Sequence, residues 1–429
     1  MDSDLWPVIS YQKYTLENGL TVLTHEAWDT PLATVNILYN VGSRDEEPGK
    51  TGFAHLFEHL MFSGTPQVPD FDAVVSNAGG EDNAFTTCDY TNYYTTLPAE
   101  ALPTALMLEA DRMAHLDISQ RALEIQQHVV TEEYNQRYMN QPYGDIWLLL
   151  RPLCYKVHPY RWPTIGADIR HVSDATLEDV RLFHQRFYRP NNAILAIAAP
   201  MKHEEMLPMV EEAWNSKSSR TSKVSKFSRT YPAEPKQKEP RLLRVQRDVP
   251  ATMVYLAYPM GDRYSGHFRA CDLISDILGN GPSSRLQRRL VVEQGLLTEA
   301  DACISGETGP GLLVLSGKLK DGVTADEVAD ALRREAFSLA ETTVSDSLLA
   351  QREYELQKVQ NKYENTFVFS QYKASDRALA LCHYTWLGDT ELVNREPNEY
   401  RRVTPTLLQE TANKVFNPQH ENLLYYERI

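Results

Sequence analysis

Pro31-Leu32-Ala33-Thr34-Val35-Asn36-Ile37-Leu38-Tyr39-Asn40-Val41-Gly42-Ser43-Arg44 has a counterpart late in the same chain. It is Pro250-Ala251-Thr252-Met253-Val254-Tyr255-Leu256-Ala257-Tyr258-Pro259-Met260-Gly261-Asp262-Arg263. Each is a β-branched and aromatic run that opens after a proline and stops at a glycine, the composition of a buried strand. A second pair agrees with the first. Val172-Ser173-Asp174-Ala175-Thr176-Leu177 through Phe187-Tyr188-Arg189-Pro190-Asn191 resembles Val403-Thr404-Pro405-Thr406-Leu407-Leu408 through Val415-Phe416-Asn417-Pro418-Gln419. Two halves of about 200 residues with one element order predict a duplicated α+β fold. Each domain is expected to be an antiparallel sheet packed with helices, the pair forming half of a clam-shell.

The 429 residues exceed one ordinary core, which agrees with two domains. Residues 215–240 are rich in Ser, Lys, Arg and Pro and read as the linker between domains at 1–214 and 241–429. Their basic residues Lys217, Arg220, Lys223, Lys226 and Arg229 read as a solvated linker. The formal charge of −15 argues against a nucleic-acid partner, since nothing offsets phosphate repulsion. Five scattered cysteines without C-x-x-C do not form a disulfide framework. No apolar run is long enough to span a bilayer, and the first residues lack the regions of a signal peptide. A cytoplasmic location is expected, or a periplasmic one if a signal has been removed.

In the first half, a polar loop leads into Gly52-Phe53-Ala54-His55-Leu56-Phe57-Glu58-His59-Leu60-Met61-Phe62. On a helix, His55 and His59 lie one turn apart on one face, and Glu58 reaches the same space. Burying three polar groups among apolar neighbours is costly unless something binds them. Two imidazoles and a carboxylate at this spacing fit a catalytic zinc site and its base. The matching stretch of the second half, Cys271-Asp272-Leu273-Ile274-Ser275-Asp276-Ile277-Leu278, has no such cluster. One half therefore holds the metal.

A catalytic zinc usually has three protein ligands. The helix expected from Ser119 to about Arg137 offers Glu124, Glu132 and Glu133. Its inner face is marked by Leu123, Val130 and Tyr134. Glu133 shares that face, whereas Glu132 is rotated about 100° from it. Glu133 is the expected third ligand, with Glu132 as the fallback.

These residues resemble the pitrilysin/insulinase family of inverzincin metallopeptidases, in its short two-domain bacterial branch, similar to mitochondrial processing peptidase subunits. The resemblance rests on Gly52 through Thr65, on Asn83-Ala84-Phe85-Thr86, on Val129-Val130-Thr131-Glu132-Glu133-Tyr134 and on Asn140-Gln141-Pro142-Tyr143-Gly144. It implies one zinc per chain on His55, His59 and Glu133, with Glu58 as the base for the metal-bound water. It also implies that Asn83, Ala84 and Phe85 form an edge strand pairing with a peptide backbone, which an open sheet edge suits.

Two departures stand out. A family glutamate seven residues before the ligand Glu is Gln126 here, able to hydrogen-bond toward the site as a neutral amide. The Arg and Tyr that help relatives bind the substrate carbonyl fall on Val291 and Thr298. The resemblance thus implies a zinc endopeptidase for peptides or small unfolded polypeptides. It would be the zinc subunit of a heterodimer whose same-fold partner supplies Arg and Tyr, with a homodimer as the fallback. The alternative is a weak or inactive assembly subunit of the same fold.

Overall fold

The structure is a computed structural model that describes residues 8–214, 229–342 and 345–429. Most of the expected linker, with Lys217, Arg220, Lys223 and Lys226, lies outside the described residues, as does the N-terminal stretch 1–7.

Two helix-packed sheets carry the fold. The first contains β1 (Gln12–Thr15), β2 (Thr21–Glu26), β3 (Leu32–Tyr39), β4 (Glu81–Thr86), β5 (Thr91–Pro98) and β6 (Ala193–Ala199), in the order β1-β2-β6-β3-β5-β4. The second contains β7 (Arg241–Arg247), β8 (Met253–Met260), β9 (Leu297–Ser305), β10 (Gly311–Leu319) and β11 (Asn422–Arg428), in the order β7-β11-β8-β10-β9. Without β1 the two orders are the same, with the repeated sequences at β3 and β8. The mixed α and β class and its two sheets follow the expectation. Each sheet differs from it in one respect: it contains a parallel pair, β2 with β6 and β7 with β11. The last strand of each half returns after a long helical excursion and slots beside β2 in the first sheet and β7 in the second, and such a crossover permits parallel pairing.

Packing groups the chain differently from a linear cut. One unit comprises Met1–Asn135, Trp162–Thr230 and Phe367–Arg395; the other comprises Gln136–Arg161, Tyr231–Thr366 and Glu396–Ile429. Each half thus lends a segment to the other's unit. The helix Ala374–Trp386, late in sequence, covers one face of the first sheet, where the Cys382 thiol lies 3.5 Å from the Asn36 carbonyl oxygen.

Local signals explain the elements around the site. Gly19 takes φ +91° at the β1–β2 turn. Asp70 caps Phe71–Asn77 by accepting from the Ala73 amide. The Thr176 hydroxyl caps the helix Leu177–Phe187, with Asp179 completing a capping box. In the second unit, Phe268–Gly279 occupies the place of the histidine helix and buries Cys271, Leu273, Ile274 and Ile277. Apolar residues there need no ligand to offset their burial.

Candidate active site

The histidine helix runs Phe53–Leu60 and is almost wholly buried. It starts at Gly52, whose φ of +89° is left-handed and whose added Cβ would lie 2.8 Å from the Ile165 carbonyl oxygen. Only glycine suits both constraints. Gly52 has no side chain to cap the helix, and Glu46 does so from outside. Its buried carboxylate accepts the Gly52 and Ala54 amides, both at 2.9 Å. Burial pushes the Glu46 carboxyl well above the usual range, and those two amides pull against that shift by stabilising the charged form. The sheet secures the other end. Tyr93 of β5 donates to the Phe57 carbonyl at 3.1 Å, and burial holds its phenol protonated.

One turn apart, the His55 and His59 rings stand 4.9 Å apart and nearly perpendicular. The helix Gln120–Tyr134 delivers Glu133 to them. Its Oε2 lies 3.6 Å from His55 Nε2 and 3.3 Å from His59 Nε2. Glu132 next to it is exposed, and Gln126 is half-buried with the core-facing Leu123 and Val130 nearby in sequence. One ligand atom from each of His55, His59 and Glu133 lies within 4.8 Å of the others, the one such group among the described residues.

The donors fit a zinc ion. Ligands at 2.0–2.1 Å in a tetrahedron sit roughly 3.3–3.4 Å apart, close to the two nitrogen–oxygen separations. His59 Nε2 is buried with no hydrogen-bond partner, a costly arrangement that a metal would relieve. Two neutral imidazoles and one carboxylate are also the donor set of zinc peptidase sites.

Glu58, between the imidazoles in sequence, is bound from the sheet. Thr86 Oγ1, at the end of β4, donates to Glu58 Oε2 at 2.6 Å. Strand β4 is an edge strand of its sheet, paired on one side with β5 alone. Its residues alternate between faces. Thr86 reaches the histidine helix, whereas Glu81 and Phe85 line a cavity of about 710 Å³ on the other face, with Tyr94 and the start of the Ala374–Trp386 helix. That cavity is separate from the metal cluster. The Ala84 amide donates to the Asn83 side chain at 2.8 Å rather than to the neighbouring strand, as an edge-facing amide would.

Sequence reasoning missed Thr86, Glu46 and Tyr93. The alternation of β4 places Thr86 on the face of Ala84, which is a usable signal. Nothing in the polar loop singles out Glu46, because its role depends on a close approach in three dimensions. In the second unit, Val291 lies in a wide helical turn, Gln287–Glu293, and Thr298 in β9. Their basic neighbours are engaged: Arg288 with Glu293 at 3.5 Å and Arg289 with Glu335 at 2.7 Å.

Residues 21–145 match the family model described as insulinase (peptidase family M16), and residues 174–352 match the model described as peptidase M16 inactive domain. Together they span more than two thirds of the chain. The zinc protease PqqE of Helicobacter pylori is 28% identical over 419 residues, which is 97% of this chain and 92% of that one. A protease crystal structure from Helicobacter pylori superposes with a TM-score of 0.89 at 25% identity, covering 98% of this chain and all of the other. The periplasmic protease PqqL of Escherichia coli shares the fold, with a TM-score of 0.78 at 17% identity, but this chain covers only 48% of it.

Proposed function

Because the chain belongs to the insulinase family, peptidase family M16, we propose that it is a zinc-dependent endopeptidase acting on extended peptides or small unfolded polypeptides. The observation that carries this reading is the convergence of His55, His59 and Glu133 beside Glu58. These three residues would hold one zinc per chain. When bound, zinc supplies Lewis acidity, polarising a carbonyl and lowering the pKa of water.

The chain's own groups do the rest. Asn83, Ala84 and Phe85 hold the substrate backbone along the open edge of β4, where main-chain pairing asks little of the sequence. Glu58 takes the proton of the water that attacks the scissile carbonyl and gives it to the leaving amine, serving as base and then acid. Gln126 hydrogen-bonds toward the site as a neutral amide. A second donor to the developing oxyanion is needed, and neither Val291 nor Thr298 can replace an Arg and a Tyr. We assign that donor to a same-fold partner chain. The 48% coverage of PqqL supports this, since a chain twice as long has room for both halves of such an assembly. A non-catalytic core subunit would have no use for a complete donor set with Glu58 beside it.

Metal removal tests the reading. Dialysis against a chelator should abolish hydrolysis of an unstructured peptide, and stoichiometric zinc should restore it. Hydrolysis that survives complete zinc removal contradicts it.

A further inference from the structure

We infer that Thr86 is a positioning residue for Glu58, tying the base to the strand on which the peptide docks; this rests on the peptidase reading above. The carboxylate of Glu58 has one described hydrogen bond, from Thr86 Oγ1 at 2.6 Å to Oε2. That leaves Oε1 to exchange the proton. A charge-assisted bond of this length fixes the rotation of a carboxylate that otherwise swings about its last torsion.

The placement of Thr86 makes the bond more than local packing. Thr86 is the last residue of β4, directly across from Thr91 of β5, and Ala84 lies across from Tyr93. The sheet therefore grips the helix at two adjacent residues, Phe57 and Glu58. Tyr93 holds the Phe57 carbonyl, and Thr86 holds the Glu58 side chain. The turn after Thr86 is itself anchored. The Thr87 hydroxyl accepts the Asp89 and Tyr90 amides, and the Thr87 and Cys88 carbonyls accept the Ser43 and Arg44 amides. A Cβ on Gly42 would sit 2.5 Å from the Asp89 nitrogen, so the turn is packed against that loop with no slack. A peptide pairing with β4 thus docks on the strand that aims the base. The bond is a contact of the side chain, not of the backbone that pairs with substrate. Losing it should impair the chemical step and leave docking intact.

The test compares Thr86→Val, which removes the hydroxyl and keeps the shape, with Thr86→Ser, which keeps the hydroxyl, and Tyr93→Phe, which removes the other grip. The full zinc-loaded protein is used, with any chain that accompanies it, on an extended fluorogenic peptide. For T86V, kcat should fall about 10- to 100-fold with KM within about twofold, as expected for a lost bond to a charged group. Zinc content and the visible spectrum of the cobalt-substituted protein should match wild type. T86S should recover most of kcat, and Y93F should lower the melting temperature with a smaller effect on kcat. The inference is overturned if T86V keeps wild-type kcat while Glu58→Gln is inactive, if T86V loses zinc, or if T86S is as impaired as T86V. A wild-type protein that cleaves no peptide, or an active Glu58→Gln variant, overturns the peptidase reading and this inference with it.

Discussion

Glu132 and Glu133 are chemically identical neighbours, yet one is exposed and the other lies 3.3 Å from His59 Nε2. The difference is the 100° step of the helix, and it can be measured. Glu133→Gln should weaken zinc binding by more than about 100-fold, exceeding the roughly 10- to 100-fold that outer partners of a metal typically contribute, while Glu132→Gln should leave zinc content unchanged in elemental analysis. His184 offers a separate test through pH. It stacks on Tyr188, its Nε2 is buried without a hydrogen-bond partner, and burial lowers its pKa from 6.5 to about 4. The unfolded imidazole takes a proton below 6.5 and the folded one only below about 4. The folded state is therefore fully favoured above 6.5 and loses that advantage as pH falls toward 4. Denaturant titrations of metal-free protein should show wild type losing on the order of 3 kcal/mol more than His184→Phe across that window. Equal pH slopes would refute the assignment.

At the scale of elements, strand β4 is the proposed link between substrate and base, and the two proposed roles separate by face and by backbone. The Ala84 amide points away from β5, and an edge strand tolerates proline better than any other. Ala84→Pro should therefore raise KM for an extended peptide about tenfold, the scale of one lost hydrogen bond, with kcat and thermal stability little changed. A fall in kcat at constant KM would give Ala84 a different role. Much of this level was legible in the sequence, because the signals were local. The spacing of His55 and His59 and the Pro31–Arg44 run both depend on residues within a turn or a strand of each other. The Glu46 cap and the Thr86–Glu58 bond were not legible, because each joins residues set side by side only by tertiary packing. The parallel pairing of β2 with β6 was hidden for the same reason: alternation along a strand does not disclose its neighbour's direction.

For the whole molecule, the duplication was readable and the exchange of segments was not. Nothing in residues 136–161 or 367–395 marks them as belonging with the other half's sheet, yet each packs there. Among the described residues, no helix is long and apolar enough to cross a membrane. The proposal that a same-fold partner supplies the donor missing at Val291 and Thr298 makes assembly testable. The lone chain should turn over about 10²–10³-fold more slowly than a mixture with a same-fold chain carrying the pair, the usual loss for one oxyanion donor. Native mass should show two unlike chains, and full activity from the lone chain would remove the need for a partner. The central claim is that Glu58 works as a base beside a zinc held by His55, His59 and Glu133. Its most direct test is peptide hydrolysis by Glu58→Gln at measured zinc content. The variant should retain one zinc per chain and lose about 10²–10⁴-fold in kcat. A variant that holds its zinc and cleaves at the wild-type rate would contradict the account.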